Sequence, residues 1–232
     1  LVIGVEKYID LPDAQFADRD AEAVTEHLLA MGYPSRNVVH LSGEKAVKSS
    51  MEKFIETWLP NNVNENSRVF FYFSGHGAPD VKTGQAYLVP REGDANFLEN
   101  TGYPVKRLYQ KLGELKAKQI IIAMDACFSG AGGRSVLAKG ARPLVTKIDE
   151  GSISSGKLIA FSSSAGTDIS GTIEDQGHGA FTYYFLKGLD GAAKNEKGEV
   201  TVKGLYDYLK PKVQDTARRN NRDQTPQLMP ST

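Results

Sequence analysis

Apolar positions along the chain fall into two rhythms. Unbroken runs rich in β-branched and aromatic side chains occupy residues 1–5, 69–73, 120–124 and 158–161, with a weaker run at 38–41. Such runs are what parallel strands buried on both faces require. Between them, apolar residues recur at spacings of three and four. Residues 18–31 place Ala21, Val24, Leu28 and Met31 on one helical face, with Gly32 as a stop. Residues 47–59 do the same with Met51, Phe54, Ile55 and Trp58 before Pro60, and the spacing predicts further helices at 105–115, 181–189 and 202–213. Strands alternating with helices predict an α/β fold, a mostly parallel central sheet with helices on both faces.

In such sheets the functional crevice lies beyond the carboxyl ends of the strands. The run at 69–73 leads into Ser74-Gly75-His76-Gly77, the run at 120–124 into Asp125-Ala126-Cys127-Phe128-Ser129-Gly130, and the run at 158–161 into Ser162-Ser163-Ser164. Three strands thus bring a histidine, a cysteine and a hydroxyl-rich loop to one edge. Two stretches lack periodicity. Residues 131–156 are Gly-rich and basic, long for a connection inside a compact domain, and such loops are usually functional. Residues 91–102 form a second irregular stretch at the expected site edge.

Composition narrows the function. The 232 residues carry 28 Lys and Arg against 28 Asp and Glu, a net charge of zero, so a chain-wide grip on nucleic acid or an anionic membrane is not expected. No apolar run approaches the ~20 residues of a membrane-spanning helix. A soluble protein is expected, with the cytoplasm favoured as its compartment. The sequence opens directly on a strand without Met, as expected of a segment of a longer protein. The single cysteine, Cys127, excludes an internal disulfide framework and a Cys-rich zinc cluster.

A lone thiol is either core filling or a nucleophile. At a strand exit beside a histidine on the neighbouring strand, the second reading gains weight, because an imidazole promotes thiolate formation and can protonate a leaving amine. Gly75 and Gly77 permit close approach of a substrate, and the amides of Gly77 and Cys127 are candidates for binding an oxyanion. Gly177-His178-Gly179 repeats the Gly-His-Gly string but precedes a helix rather than following a strand, so it reads as a turn. His27 and His40 read as structural or solvent-facing. No His spacing suits zinc, and no Gly-rich phosphate loop follows the first strand, where Glu6-Lys7-Tyr8-Ile9-Asp10 stands.

The pair of strings Ser74-Gly75-His76-Gly77 and Asp125-Ala126-Cys127-Phe128-Ser129-Gly130, about fifty residues apart, resembles the catalytic core of the caspase/metacaspase superfamily of cysteine peptidases. Residues 1–5, Phe16-Ala17-Asp18-Arg19-Asp20-Ala21, residues 162–170 and Gly179-Ala180-Phe181-Thr182 resemble further segments of that core. The resemblance implies a caspase-like three-layer sandwich. It divides the chain into a large-subunit region at 1–133, a linker at 134–156 and a small-subunit region at 157–232. It makes His76 the base and Cys127 the nucleophile. Asp125 stands where metacaspases, which cut after Arg or Lys, carry Asp; Asp18 would supply a second pocket carboxylate, with Asp20 and Asp168 as lesser candidates and Ser163 as a further substrate contact. Two carboxylates match a guanidinium and repel an acidic side chain. Basic specificity would make Arg134, Lys139, Arg142 and Lys147 in the linker candidate self-cleavage sites.

The resemblance also raises calcium activation. Asp80, Glu92, Asp94 and Glu99 are acidic but form no recognisable ligand loop, so no cofactor is expected. Protein or peptide substrates are the expected partners, with no nucleic acid or membrane contact in this segment, and a monomer is expected. The alternative is a catalytically silent scaffold on the same fold.

Overall fold

A computed structural model of the chain describes residues 1–80, 82–128, 134, 136, 156–164, 168 and 170–230. Its elements in chain order are β1 (Val2–Gly4), α1 (Ala17–Ala30), β2 (His40–Leu41), α2 (Lys48–Lys53), α3 (Leu59–Asn62), β3 (Arg68–Ser74), β4 (Gly77–Pro79), β5 (Ala86–Leu88), α4 (Leu98–Thr101), β6 (Tyr103–Pro104), α5 (Val105–Glu114), β7 (Gln119–Asp125), β8 (Leu158–Ser162), β9 (Thr172–Ile173), β10 (His178–Gly179), α6 (Ala180–Lys187), α7 (Val202–Arg219) and β11 (Gln227–Met229). The central sheet has the order β11-β8-β7-β3-β1-β2, parallel except for β11 at one edge.

Because side chains alternate across a strand, each buried strand feeds two cores. In β3, Val69, Phe71 and Phe73 join Met51, Ile55, Leu59, Leu108 and Leu112 from the helices on one face. Phe70 and Tyr72 join Val24, Leu28, Phe185, Leu209 and Val213 from α1, α6 and α7 on the other. The two faces explain why these runs are apolar throughout rather than alternating. The expected three-layer sandwich is the fold observed.

The differences are local. The helix expected to stop before Pro60 continues to Asn62 through a π turn at Phe54–Trp58, where the Leu59 N–H bonds the Phe54 carbonyl five residues back. That wider turn makes room for a proline ring that would collide with the carbonyl four back in a regular helix. Strand β11 lacks an apolar run of its own, and it forms because β8 offers it an antiparallel edge. A smaller sheet, β4-β5-β6, flanks the carboxyl ends of the central strands. Among the described residues no helix is long and apolar enough to cross a membrane.

Candidate active site

Strands β3 and β7 pair in register from Arg68 with Gln119 to Ser74 with Asp125. His76 and Cys127 each stand two residues beyond the last paired position, so the two backbones leave the sheet side by side. Gly77 follows His76 and lies against the Cys127 backbone: a Cβ there would sit 2.3 Å from the Cys127 carbonyl and 2.6 Å from the Phe128 ring. Only glycine permits that approach.

The backbone N–H of His76 donates to Tyr8 Oη at 2.7 Å, and the two rings lie 4.7 Å apart. Its Nε2 donates to the Pro12 carbonyl at 2.7 Å, which leaves Nδ1 as the proton acceptor, with no hydrogen-bond partner among the described residues. Burial holds the imidazole below its ordinary range, opposed by the Pro12 carbonyl and reinforced by the Arg134 guanidinium. The imidazole is therefore held toward its neutral form, the one able to accept a proton. Cys127 is fully buried, and its Sγ accepts from the Ser170 N–H at 2.6 Å and the Ser164 hydroxyl at 3.4 Å. Burial pushes the thiol up, while these donors pull it down by favouring the thiolate.

Arg134 bonds to the backbones of both departing strands. Its carbonyl accepts from the N–H of Gly77 at 2.9 Å and of Cys127 at 3.2 Å, the two amides singled out in the sequence as an oxyanion site. Its guanidinium, 3% exposed, is held by Asp20 Oδ2 at 2.8 Å and Asp125 Oδ2 at 3.2 Å, both carboxylates being fully buried. It also donates to Ser74 Oγ at 2.5 Å and the Gln15 carbonyl at 2.8 Å. The carboxylates are themselves braced. Asp20 accepts from His178 Nδ1 at 2.8 Å and the Gly179 N–H at 3.1 Å, and Asp125 from the Thr182 hydroxyl at 2.7 Å. Gly179 is the back wall, since a Cβ there would lie 2.3 Å from Asp125 Oδ2 and 3.0 Å from Arg134 Nη2. An open cleft lined by Asp13, Gln15, Arg134, Ser170, Glu174 and Arg222 leads to this pocket.

Of the two acids read from the sequence as pocket carboxylates, Asp125 meets the Arg134 guanidinium and Asp18 does not. Asp18 is half-buried and accepts the Glu6 N–H at 3.2 Å, away from the guanidinium. The residue beside Asp125 is Asp20, weighed only as a lesser candidate. The helix period carried the information: Ala17, Asp20, Ala21, Val24 and Leu28 form the buried face of α1, and Asp18 is off it. Nor does Asp18 cap the helix, whose N-cap is Phe16 in a left-handed conformation.

Ser163 does not reach the guanidinium. Its hydroxyl bonds the Ala126 carbonyl at 3.1 Å and Ser170 Oγ at 2.6 Å, fixing the loop that carries Cys127, while its neighbour Ser164 touches the sulfur. Asp168 accepts the Thr225 N–H at 2.7 Å. His178, read as part of a turn, lies in the short strand β10 and orients Asp20 rather than serving Cys127. His27 pairs with Asp190 at 3.0 Å, and His40 sits in β2. Lys139, Arg142 and Lys147 lie outside the described residues, as does most of the 134–156 linker. The Pro12 carbonyl and the Tyr8 hydroxyl were not found by sequence reasoning: a backbone acceptor carries no residue code, and Tyr8 sits in a loop without periodicity.

Three of the acids weighed for calcium accept backbone N–H groups. Asp80 Oδ1 accepts the N–H groups of Lys82 and Thr83, Asp94 that of Asn96, and Glu92 that of Lys48. Among the described residues no three acidic, His or Cys side chains converge into a ligand set.

Over residues 1–232 the chain matches the family model of the caspase domain. It is similar to metacaspase-1 of Candida albicans, with 30% identity over 108 residues, 44% of this chain and 22% of that protein, so the match spans under a quarter of the relative's length. Among solved structures, the crystal structure of protein GSU0716 from Geobacter sulfurreducens shares the fold, with a TM-score of 0.67 and 14% identity, covering 98% of this chain and 90% of that one.

Proposed function

Because the chain belongs to the caspase-domain family of cysteine peptidases, we propose that it is an endopeptidase cutting after Arg or Lys through Cys127 and His76, and that it cuts itself between Arg134 and Ser135. One observation carries the reading. Arg134 is arranged as a substrate residue, its carbonyl between the Gly77 and Cys127 amides and its guanidinium between Asp20 and Asp125.

The steps follow from these positions. His76 Nδ1 takes the Cys127 thiol proton, and the sulfur adds to the carbonyl carbon of the residue in the pocket. Negative charge then develops on the carbonyl oxygen, where the Gly77 and Cys127 N–H groups already point. Collapse breaks the carbon–nitrogen bond, the imidazolium gives its proton to the departing amine, and a thioester remains. Water, deprotonated by the same imidazole, hydrolyses the thioester to a carboxylate and restores the thiol. The Pro12 carbonyl keeps the ring in the tautomer and orientation this exchange needs.

Buried carboxylates favour a guanidinium, which offers two pairs of donors, over a lysine ammonium, which offers a point charge, and they repel an acidic side chain. The test is hydrolysis of matched fluorogenic peptides ending in Arg, Lys or Asp by wild type and Cys127→Ala, with the chain itself followed on a gel. Cleavage in the order Arg, Lys and then no Asp, lost in the mutant, is expected, together with nicking at Arg134 in wild type alone. Faster cleavage of the Asp peptide, or equal nicking of Cys127→Ala without added protease, overturns the reading.

A further inference from the structure

The segment that brings Arg134 into the pocket also shows where a substrate goes after the cut. Gly77 uses both its backbone groups on this segment: its N–H bonds the Arg134 carbonyl at 2.9 Å, and its carbonyl accepts the Val136 N–H at 3.0 Å. Residue 136 is therefore fixed to the same glycine that fixes the carbonyl of residue 134. The Val136 side chain is 9% exposed and packs in an apolar cluster with Ala78, Tyr87, Val89, Ala95 and Leu98.

This cluster is separate from the two cores that flank the central sheet. It is built from β4, β5 and the irregular stretch at residues 91–102 flagged in the sequence as a site edge. Its side chains are aliphatic and aromatic, whereas the pocket on the other side of the carbonyl presents the carboxylates of Asp20 and Asp125.

We propose that this cluster is a second specificity subsite, taking an aliphatic side chain at the second residue after the cut. The inference rests on Arg134 being the residue before the cut. Two features make the place a subsite rather than generic packing. A backbone hydrogen bond sets the register of the incoming chain, and the apolar wall lies where the side chain of that register points. Substrates are then read on both sides of the scissile bond, a base before it and an aliphatic residue two after it. A carboxylate or ammonium placed against these apolar side chains loses hydration that an aliphatic side chain does not need.

The experiment uses the full chain and internally quenched peptides with Arg before the cut and Ser after it, followed by Val, Ala, Asp or Lys. An Arg peptide whose leaving group is a fluorophore, with no residue beyond the cut, is measured in parallel. The expected result is kcat/KM for Val over Asp and Lys by about tenfold or more, expressed mainly in KM, with Ala between. Self-processing supplies a second readout: Val136→Asp slows nicking at Arg134 by about tenfold or more, and Val136→Ile keeps it within about twofold of wild type. Equal rates for all four peptides, with the fluorophore peptide cut normally, overturn the subsite and leave the peptidase reading standing. Failure to cut the fluorophore peptide overturns the peptidase reading and the subsite with it.

Discussion

Replacing Arg134 by Gln in a Cys127→Ala chain, which cannot cut itself, removes the cation from between two buried carboxylates. The guanidinium is 3% exposed and Asp20 and Asp125 are fully buried, so the loss leaves charge in a desolvated place. Breaking a buried pair by removing one partner typically costs about 3–5 kcal/mol. Asp20 keeps its bonds from Ser74, His178 and Gly179, and Asp125 keeps those from Thr182. Water entering the vacated pocket from the adjoining cleft hydrates part of the charge. These compensations place the expectation near 3 kcal/mol, a melting temperature lower by about 6–12 °C for a domain of this size.

The loss depends on pH with a definite sign. Burial raises Asp125 above the ordinary carboxylate range, and Arg134 pulls it back. A carboxyl whose pKa is higher folded than unfolded costs stability as pH rises through the folded value, because the unfolded chain releases the proton first. Removing the guanidinium lifts Asp125 further. The deficit of Arg134→Gln against its parent is therefore larger at about pH 8 than at about pH 5, measured by calorimetry or near-ultraviolet circular dichroism. Equal melting temperatures for the two chains at both pH values would refute the seating of Arg134 between the carboxylates.

Three further outcomes are expected. Gly179→Ala drives a methyl group into the arginine pocket, 2.3 Å from Asp125 Oδ2, and lowers kcat/KM for Arg peptides by about a hundredfold while the fold persists by circular dichroism; undiminished turnover would mean that the pocket is elsewhere. Tyr8→Phe leaves the buried His76 N–H without its acceptor, costs about 1–3 kcal/mol of stability, and lowers kcat without altering the Arg-to-Lys preference; a changed preference would contradict a role confined to positioning His76. In a His76→Asn chain, the Cys127 thiol, pushed up by burial, is alkylated by iodoacetamide more slowly at neutral pH than an exposed model thiol, with the rate still climbing at pH values where the model thiol has levelled off; reactivity equal to the model thiol at neutral pH would show that the sulfur is not buried.

The fold was legible in the sequence because burial of a parallel sheet on both faces leaves a strong trace. The runs at 69–73 and 120–124 are apolar without alternation, and the intervening helices keep one apolar stripe each. The short strands were less legible. Gln227–Met229 takes its extended form from the edge of β8, a cause that lies far away along the chain, and His178–Gly179 takes its form from the two-residue strand β9. The choice between Asp18 and Asp20 sat between these extremes, since the helix period pointed to Asp20 while the resemblance drew attention to Asp18.

The sequence by itself determined the two-faced sheet, the positions at which strands end, and the presence of His76, Gly77, Asp125 and Cys127 at those ends. These follow from local rhythm and residue chemistry, which a linear reading contains. Tertiary structure alone decided that Arg134 lies between Asp20 and Asp125, 114 and 9 residues away. It likewise decided that the Pro12 carbonyl holds the His76 ring and that Val136 lodges beside Leu98. Such contacts depend on the register of strands and the direction of loops leaving them. Both are set by the global minimisation of buried polar groups and voids, and neither leaves a trace in the order of residues along the linker.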